Sequence, residues 1–374
     1  MILKSLKLGQ FRNYESTSLT FSDHINVIVG PNAQGKTNLL EGIFFLSRGY
    51  SHRAVSLSEL ASFGQEAFFI GGEIQRQGIH HRISMAMDHK KKILKVNGKK
   101  EGKQEVASRI MSTILFEPED LRIVKAGPEK RRRFMDEEIS GFMPGYGHVL
   151  KQYKKVLHQR NALLKEIRYT PSLTATLEPW DAQLIEYGTA LMGYRVDYLK
   201  QLNKNARKLH HLMSSGAEVL SLYYQNNILA DLKEQDSLEQ IFRQRVLESR
   251  QGDIDRGSTT YGPHVDDLII HINGMEARKY GSQGQQRTAA ISLKLSQIDI
   301  YKESTGDYPI VLLDDILSEL DETRQERILS LLGRTQAFIT CTDASFARRY
   351  DHNELNQFQV LDGKIQKLVN VSER

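Results

Sequence analysis

Eight residues near the start of the chain, Gly30-Pro31-Asn32-Ala33-Gln34-Gly35-Lys36-Thr37, fit the pattern G-x-x-x-x-G-K-[ST]. Such a loop constrains the fold, because it works only between a buried strand and a helix. Both flanks have that form. Ile25-Asn26-Val27-Ile28-Val29 is a short apolar run, and residues 37–47 carry Leu39, Leu40, Ile43 and Phe44 at helical spacing. Gly30 and Gly35 let the backbone fold tightly round a phosphate, while loop N–H groups and the helix N-terminus supply donors and positive potential. Lys36 is expected to reach the β- and γ-phosphates, and the Thr37 hydroxyl to sit on Mg²⁺. The expected ligands are therefore ATP and Mg²⁺.

A second apolar run, Ile310-Val311-Leu312-Leu313, ends in Asp314-Asp315. A strand ending in acids suits the Walker B element that accompanies a phosphate loop. Asp314 would hold Mg²⁺ through water, and Asp315 would polarise the attacking water. Glu is commoner at the second place in ABC-type ATPases, and the shorter Asp implies slow hydrolysis. An Asp pair capping a strand–helix turn is the plainer reading, but it leaves the phosphate loop without its partner.

Between these motifs lies Gly281-Ser282-Gln283-Gly284-Gln285-Gln286-Arg287, at the head of the helical stretch TAAISLKLSQIDIY. Its Ser-x-Gly-Gln core matches the ABC signature. In that class the Ser hydroxyl, the Gly N–H and the helix N-terminus meet the γ-phosphate held by a partner subunit. Ser282, Gly284 and Gln285 are therefore expected at an ATP-dependent homodimer seam. Small polar residues before a helix also serve as caps. Ser318-Glu319-Leu320-Asp321, just past the acids, is placed like a D-loop; it suits a helix cap equally, and the two readings are compatible.

The order of textures fixes the expected architecture. Residues 1–30 and 66–100 are strand-like, with an Asn97-Gly98 hairpin signal. From about 129 to 250 helical periods dominate, with segments near 151–168, 181–212 and 236–250. Strand texture returns in 264–272, 309–313 and 338–340. The expectation is an α/β, ABC-type P-loop ATPase head with an inserted, mainly α-helical second lobe. Its parts would be an ATPase lobe in two halves, 1–128 and 256–374, and a helical lobe over 129–255. A chain of 374 residues, 40% hydrophobic and 26% charged, suits two or three domains.

Several classes are excluded. One cysteine, Cys341, allows no internal disulfide and no Cys-based zinc site. No apolar run approaches ~20 residues, so no membrane span or membrane partner is expected, and the expected location is the cytoplasm. A transporter cassette usually carries a switch His after its third strand; here Phe338-Ile339-Thr340-Cys341-Thr342-Asp343 offers Thr, not His. A structural-maintenance head needs coiled-coil arms of hundreds of residues, and the insertion has room for ~130.

The net charge is +5, and residues 121–210 hold 17 Lys or Arg against 9 Asp or Glu. That insertion is the basic part. On its 151–168 helix Tyr153, Val156, Leu157, Leu164 and Ile167 share one side, opposite Lys151, Lys154, Lys155, His158 and Lys165. A cationic face of this kind suits sequence-independent contact with DNA phosphates, or simply water. The lysines of 90–103, with Lys91 and Lys92 foremost, are a second candidate rim.

Taken together, these pieces resemble the RecF family of recombination-repair ATPases. The resemblance rests on Phe11-Arg12-Asn13-Tyr14, the phosphate loop, Leu115-Phe116-Glu117-Pro118-Glu119-Asp120-Leu121, Gly262-Pro263-His264, Asp266-Asp267, Ser282 to Thr288, and Leu312 to Asp321. It implies a DNA-binding ATPase of replication and gap repair, active on single- and double-stranded and gapped DNA. It further implies ATP-dependent dimers that, with RecO and RecR, help load RecA. Arg12 and Asn13 would flank the nucleotide, and a Q-loop equivalent would lie near residues 117–121. Two places depart from the family: Val265 stands where Arg usually follows Gly-Pro-His, and the run Ala54-Val55-Ser56-Leu57 is unusual.

Overall fold

A computed structural model describes all residues except 89–90, 144, 229–236, 344–354 and 369–374. The chain forms two compact units, residues 1–120 with 301–374 and residues 121–300.

The first unit holds two sheets. In one, the strands run in the order Lys364–Leu368, Leu355–Leu361, Ile25–Val29, Ala337–Cys341, Ile310–Leu313 and Thr113–Phe116. All neighbours are parallel except the outer 355–361/364–368 hairpin. The inner strands are apolar almost throughout because parallel strands are covered on both faces. The other sheet is antiparallel, with Tyr14–Thr20, Ile2–Phe11, Phe68–Arg76, Ile79–Asp88, Lys91–Val96 and Lys99–Glu101 in that order. Its last two strands meet at the expected Asn97-Gly98 turn. The helix Lys36–Arg48 buries Leu39, Leu40, Ile43 and Phe44, the stripe read from the sequence.

The second unit is built on the helices Pro128–Phe142, Tyr146–Ile167, Glu178–Met213 and Leu238–Arg256. They share a core that includes Tyr153, Leu184, Leu191, Phe242 and Val246. A three-stranded antiparallel sheet, Met275–Glu276, Asp267–Ile272 and Leu220–Gln225, packs Leu220, Leu222, Leu268, Ile270 and Ile272 into the same core. No described helix is long and apolar enough to cross a membrane.

Two sequence expectations differ from this arrangement. The units divide at 120/121 and 300/301, not at 128/129 and 255/256. Part of the difference comes from a strand that the helical texture of 129–250 hid: Leu220–Gln225 pairs along its whole length with Asp267–Ile272 and draws 267–272 into the helical unit. The strand expected over 264–272 also begins later, at Asp267. Its forerunner, the Gly262-Pro263-His264 segment, is taken up in side-chain contacts. Arg195 donates to the Pro263 carbonyl at 2.7 Å, and His264 Nδ1 lies 2.7 Å from the Tyr153 hydroxyl.

The helical unit is crossed by buried ion pairs. Arg160, with its side chain fully buried, donates to Asp181, Asp253 and Thr259 at 2.7, 2.8 and 2.7 Å. Arg195 binds Asp136 and Asp266, and Arg131 forks onto Asp267 at 2.6 Å through Nε and Nη2. The paired Asp266-Asp267 thus anchors two helices to one strand. Removing one partner of such a pair strands a buried charge, at a cost of about 3–5 kcal/mol.

Candidate nucleotide site

The phosphate loop runs from the end of the strand Ile25–Val29 to the helix Lys36–Arg48. Gly35 has φ 119°, a conformation closed to most L residues, and a Cβ on Gly30 would lie 2.4 Å from the Val360 carbonyl oxygen. Both glycines are therefore required by the backbone. Lys36 is nearly buried, and its ammonium donates to the carbonyls of Gly30 at 2.6 Å and Pro31 at 2.9 Å. It lies folded across the loop's own mouth.

The loop is gripped from two sides. Asn13 Nδ2 donates to the Gln34 carbonyl at 2.9 Å, and the Tyr14 hydroxyl donates to the Gly35 carbonyl at 3.0 Å. From the C-terminal hairpin, the Asp362 N–H donates to Gln34 Oε1 at 2.7 Å. Arg12 makes its side-chain hydrogen bonds to other segments. It forks onto Glu41 of the helix, at 2.8 and 2.7 Å, and donates to the Glu59 carbonyl. Burial alone would raise the pKa of Glu41. Hydrogen bonds from Arg12 and Ser51, with the charges of Arg12 and Arg53, reverse that and hold it below the usual carboxylate range. Glu41 was not singled out from the sequence; it lies inside the apolar helix stripe, where only a pairing could explain it.

At the end of the strand Ile310–Leu313, Asp314 Oδ1 accepts from the Thr37 hydroxyl at 3.0 Å and from the Thr340 hydroxyl at 2.8 Å. Burial raises the Asp314 pKa; the two hydroxyls offset this in part, and the nearby Glu117 charge adds to it. A cation beside Asp314 would relieve that desolvation. The donors present, one hydroxyl and one carboxylate, are hard oxygens of the kind Mg²⁺ takes together with substrate phosphates and water. Among the described residues there is no cluster of three or more His, Cys, Asp or Glu that could hold a metal by itself. Asp315 sits beside it at φ 51°, in the left-handed region, with Oδ1 buried and without a hydrogen-bond partner among the described residues.

Ser282 lies at the start of the helix Gln283–Thr305. Its hydroxyl accepts from the Gln285 N–H at 3.2 Å, and Gln285 Oε1 accepts from the Ser282 N–H at 2.9 Å, a reciprocal capping box. Gln285 also donates to Glu218 at 2.9 Å. At Gly284 the space a Cβ would fill is open. The Ser318 hydroxyl donates to the Asp315 carbonyl, and Asp321 caps the helix Glu322–Leu332.

The lysines divide. Lys151, Lys154 and Lys155 are exposed, opposite buried Tyr153, Val156 and Leu164, as the helical spacing predicts. Lys154 also lies 3.7 Å from Asp136. Lys91 is exposed. Lys92 is not a rim cation. Its ammonium donates to the Gly49 carbonyl at 2.5 Å and to Gln104 at 2.9 Å, over the Phe45 ring. The open carbonyl end of the phosphate-loop helix draws it inward, and burial pulls its pKa down to about 8. Lys90 lies outside the described residues.

The fold and these paired motifs define the class: an ABC-type ATPase head carrying a mainly helical insertion. The head domain of an Smc protein, solved bound to the C-winged helix domain of ScpA, superposes with a TM-score of 0.59 at 15% identity, over 99% of this chain and 98% of that one. The RecF/RecN/SMC N terminal domain matches residues 2–363. A protein of Lachnospira eligens named DNA replication and repair protein RecF is 41% identical over 98% of this chain and 99% of its own. One of the same name from Oceanobacillus iheyensis is 39% identical over 98% and 100%. A solved structure described as the recombination mediator protein RecF-ATP in the RecFOR pathway superposes with a TM-score of 0.89 at 37% identity, over 98% of both chains. The chain belongs to the RecF family.

Proposed function

We propose that this protein is an ATP-controlled DNA clamp of replication and gap repair, working in the cytoplasm. ATP binds in the loop 30–37, with Lys36 leaving its backbone carbonyls for the β- and γ-phosphates. Mg²⁺, held by Thr37 and through water by Asp314, would neutralise phosphate charge. Asp315 orients the attacking water, and its short side chain makes hydrolysis slow. Two chains close over two nucleotides, with Ser282, Gly284 and Gln285 of each facing the ATP of the other. The exposed lysines of the helical unit hold DNA phosphates, single- or double-stranded, at gaps. In this state the dimer, with RecO and RecR, helps load RecA.

One observation carries the reading: the Thr37 hydroxyl and the Asp314 carboxylate, from opposite ends of the chain, meet at 3.0 Å beside Lys36. That is the arrangement a magnesium nucleotide needs. Two solved relatives, described as RecF-ATP and RecF-ATPrS, support the choice of ligand. Sedimentation of the protein alone, with ATP, and with ATP plus gapped DNA tests it. A dimer that forms in ATP and co-sediments with DNA is expected. A monomer under all three conditions would overturn the clamp.

A further inference from the structure

The strand Ala337–Cys341 lies between the strand that feeds the phosphate loop and the strand that ends in Asp314, parallel to both. Its C-terminal end touches both motifs. The Cys341 carbonyl accepts from the Gly30 N–H at 3.3 Å. One residue earlier, the Thr340 hydroxyl donates to Asp314 Oδ1 at 2.8 Å and accepts from the Asp315 N–H at 2.9 Å. We propose that Thr340 is the positioning residue of the hydrolytic centre, one hydroxyl that fixes both acids at once.

Asp315 holds a backbone conformation, φ 51°, that L residues rarely adopt, and Oδ1 of its side chain is buried without a partner among the described residues. Such a residue keeps its direction only if its surroundings hold it. The bond from its own N–H to Thr340 is such a hold. Asp314 has two hydroxyls on one oxygen, from Thr37 and Thr340. The Thr37 hydroxyl is the one that turns to the cation when nucleotide binds. The Thr340 bond does not depend on the nucleotide and keeps the carboxylate aimed through the exchange. Thr340 is 1% exposed and too far inside the sheet end to meet substrate itself, so it acts through the two acids.

This inference rests on the hydrolytic roles proposed above for Asp314 and Asp315, and the test separates the two. ATP affinity and single-turnover hydrolysis are measured on the full chain for wild type, Thr340→Val, Thr340→Ser and Asp315→Asn. Val has the shape of Thr without the hydroxyl; Ser has the hydroxyl without the methyl. The expected result is a hydrolysis rate at least about ten-fold lower in Thr340→Val, with ATP affinity within about three-fold of wild type, and recovery of the rate in Thr340→Ser. Wild-type hydrolysis in Thr340→Val overturns the proposal. So does loss of hydrolysis in Thr340→Ser with ATP still bound, since the methyl would then be what matters. Should Thr340→Val fail to bind ATP through misfolding, the Ser variant decides alone. Undiminished hydrolysis in Asp315→Asn points elsewhere: it removes the role proposed above for Asp315 and leaves Thr340 only Asp314 to position.

Discussion

The Thr37 hydroxyl and the Asp314 carboxylate stand 3.0 Å apart across 277 residues of sequence. The contact joins the first helical residues after the phosphate loop to the end of a strand made late in the chain. It holds in place the two groups a magnesium nucleotide would meet first. Lys36 completes the set but spends its ammonium on two carbonyls of its own loop.

Replacing Lys36 by Met removes the ammonium folded over the loop. A charge-assisted contact contributes about 1.5–3 kcal/mol, so ATP affinity should fall about ten-fold or more. Titration with a fluorescent ATP analogue measures it. Unchanged affinity would remove residues 30–37 from nucleotide binding.

Ser282→Arg puts bulk and charge at the open head of the Gln283–Thr305 helix. The variant should bind ATP in its own loop, yet fail to dimerise in ATP and hydrolyse poorly. Mixed with Lys36→Met chains, it should recover some hydrolysis, because one of the two composite sites then has both residues intact. Crosslinking reads the outcome independently. No mixed dimer in ATP, where wild type dimerises, would sink the trans arrangement; mixed dimers without hydrolysis would mean that both sites must fire together.

The exposed lysines offer a test by salt. Lys151→Glu with Lys155→Glu should weaken DNA binding for all sequences alike. Its dependence on salt should flatten too, the slope falling by about 0.9 for each DNA phosphate that is no longer neutralised. Lys154 is left in place because its ammonium also faces Asp136. Equal affinity and equal slope would reduce this face to a solvated surface.

Lys92 makes a prediction about pH. Its pKa falls from the usual 10.5 to about 8 on folding. Between those values the unfolded chain holds the proton more tightly, so stability rises with pH through that window, falls back as pH drops from about 10.5 to about 8, and changes no further below about 8. Denaturation of wild type and Lys92→Met at pH 7 and pH 10 should show the stability difference moving in favour of wild type at the higher pH. A difference independent of pH would mean the ammonium is solvated. Lys92→Met should also leave the salt slope of DNA binding unchanged.

What could be read from the sequence was local. The phosphate loop, its strand and its helix are contiguous and periodic, and the acids at 314–315 end an apolar run, so each announced itself. The cationic side of 151–168 followed from helical spacing. Contacts that join distant segments left no such trace. Nothing near Thr340 marks it as a partner of Asp314 and Asp315, and nothing near Gln34 points to the turn at 362–363. Leu220–Gln225 is too short and too close to long helices to show as a strand until its partner is known. Arg160 sits at a position that helical spacing turns inward, yet a charge there argues against burial until Asp181 and Asp253 are seen to receive it. Lys92 misled for the same reason: a lysine-rich run hides a member that a helix end pulls in.

The place of the strand Ile25–Val29 has a consequence for how the protein is made. Its two neighbours, 337–341 and 355–361, leave the ribosome long after it does. Until they emerge the phosphate loop hangs on an unpaired apolar strand, exposed to misassociation. The turn that grips Gln34 comes later still, at 362–363. Nucleotide capture therefore waits for those later segments: nascent chains ending before residue 355 should not be retained on immobilised ATP, and chains that include residues 355–368 should be.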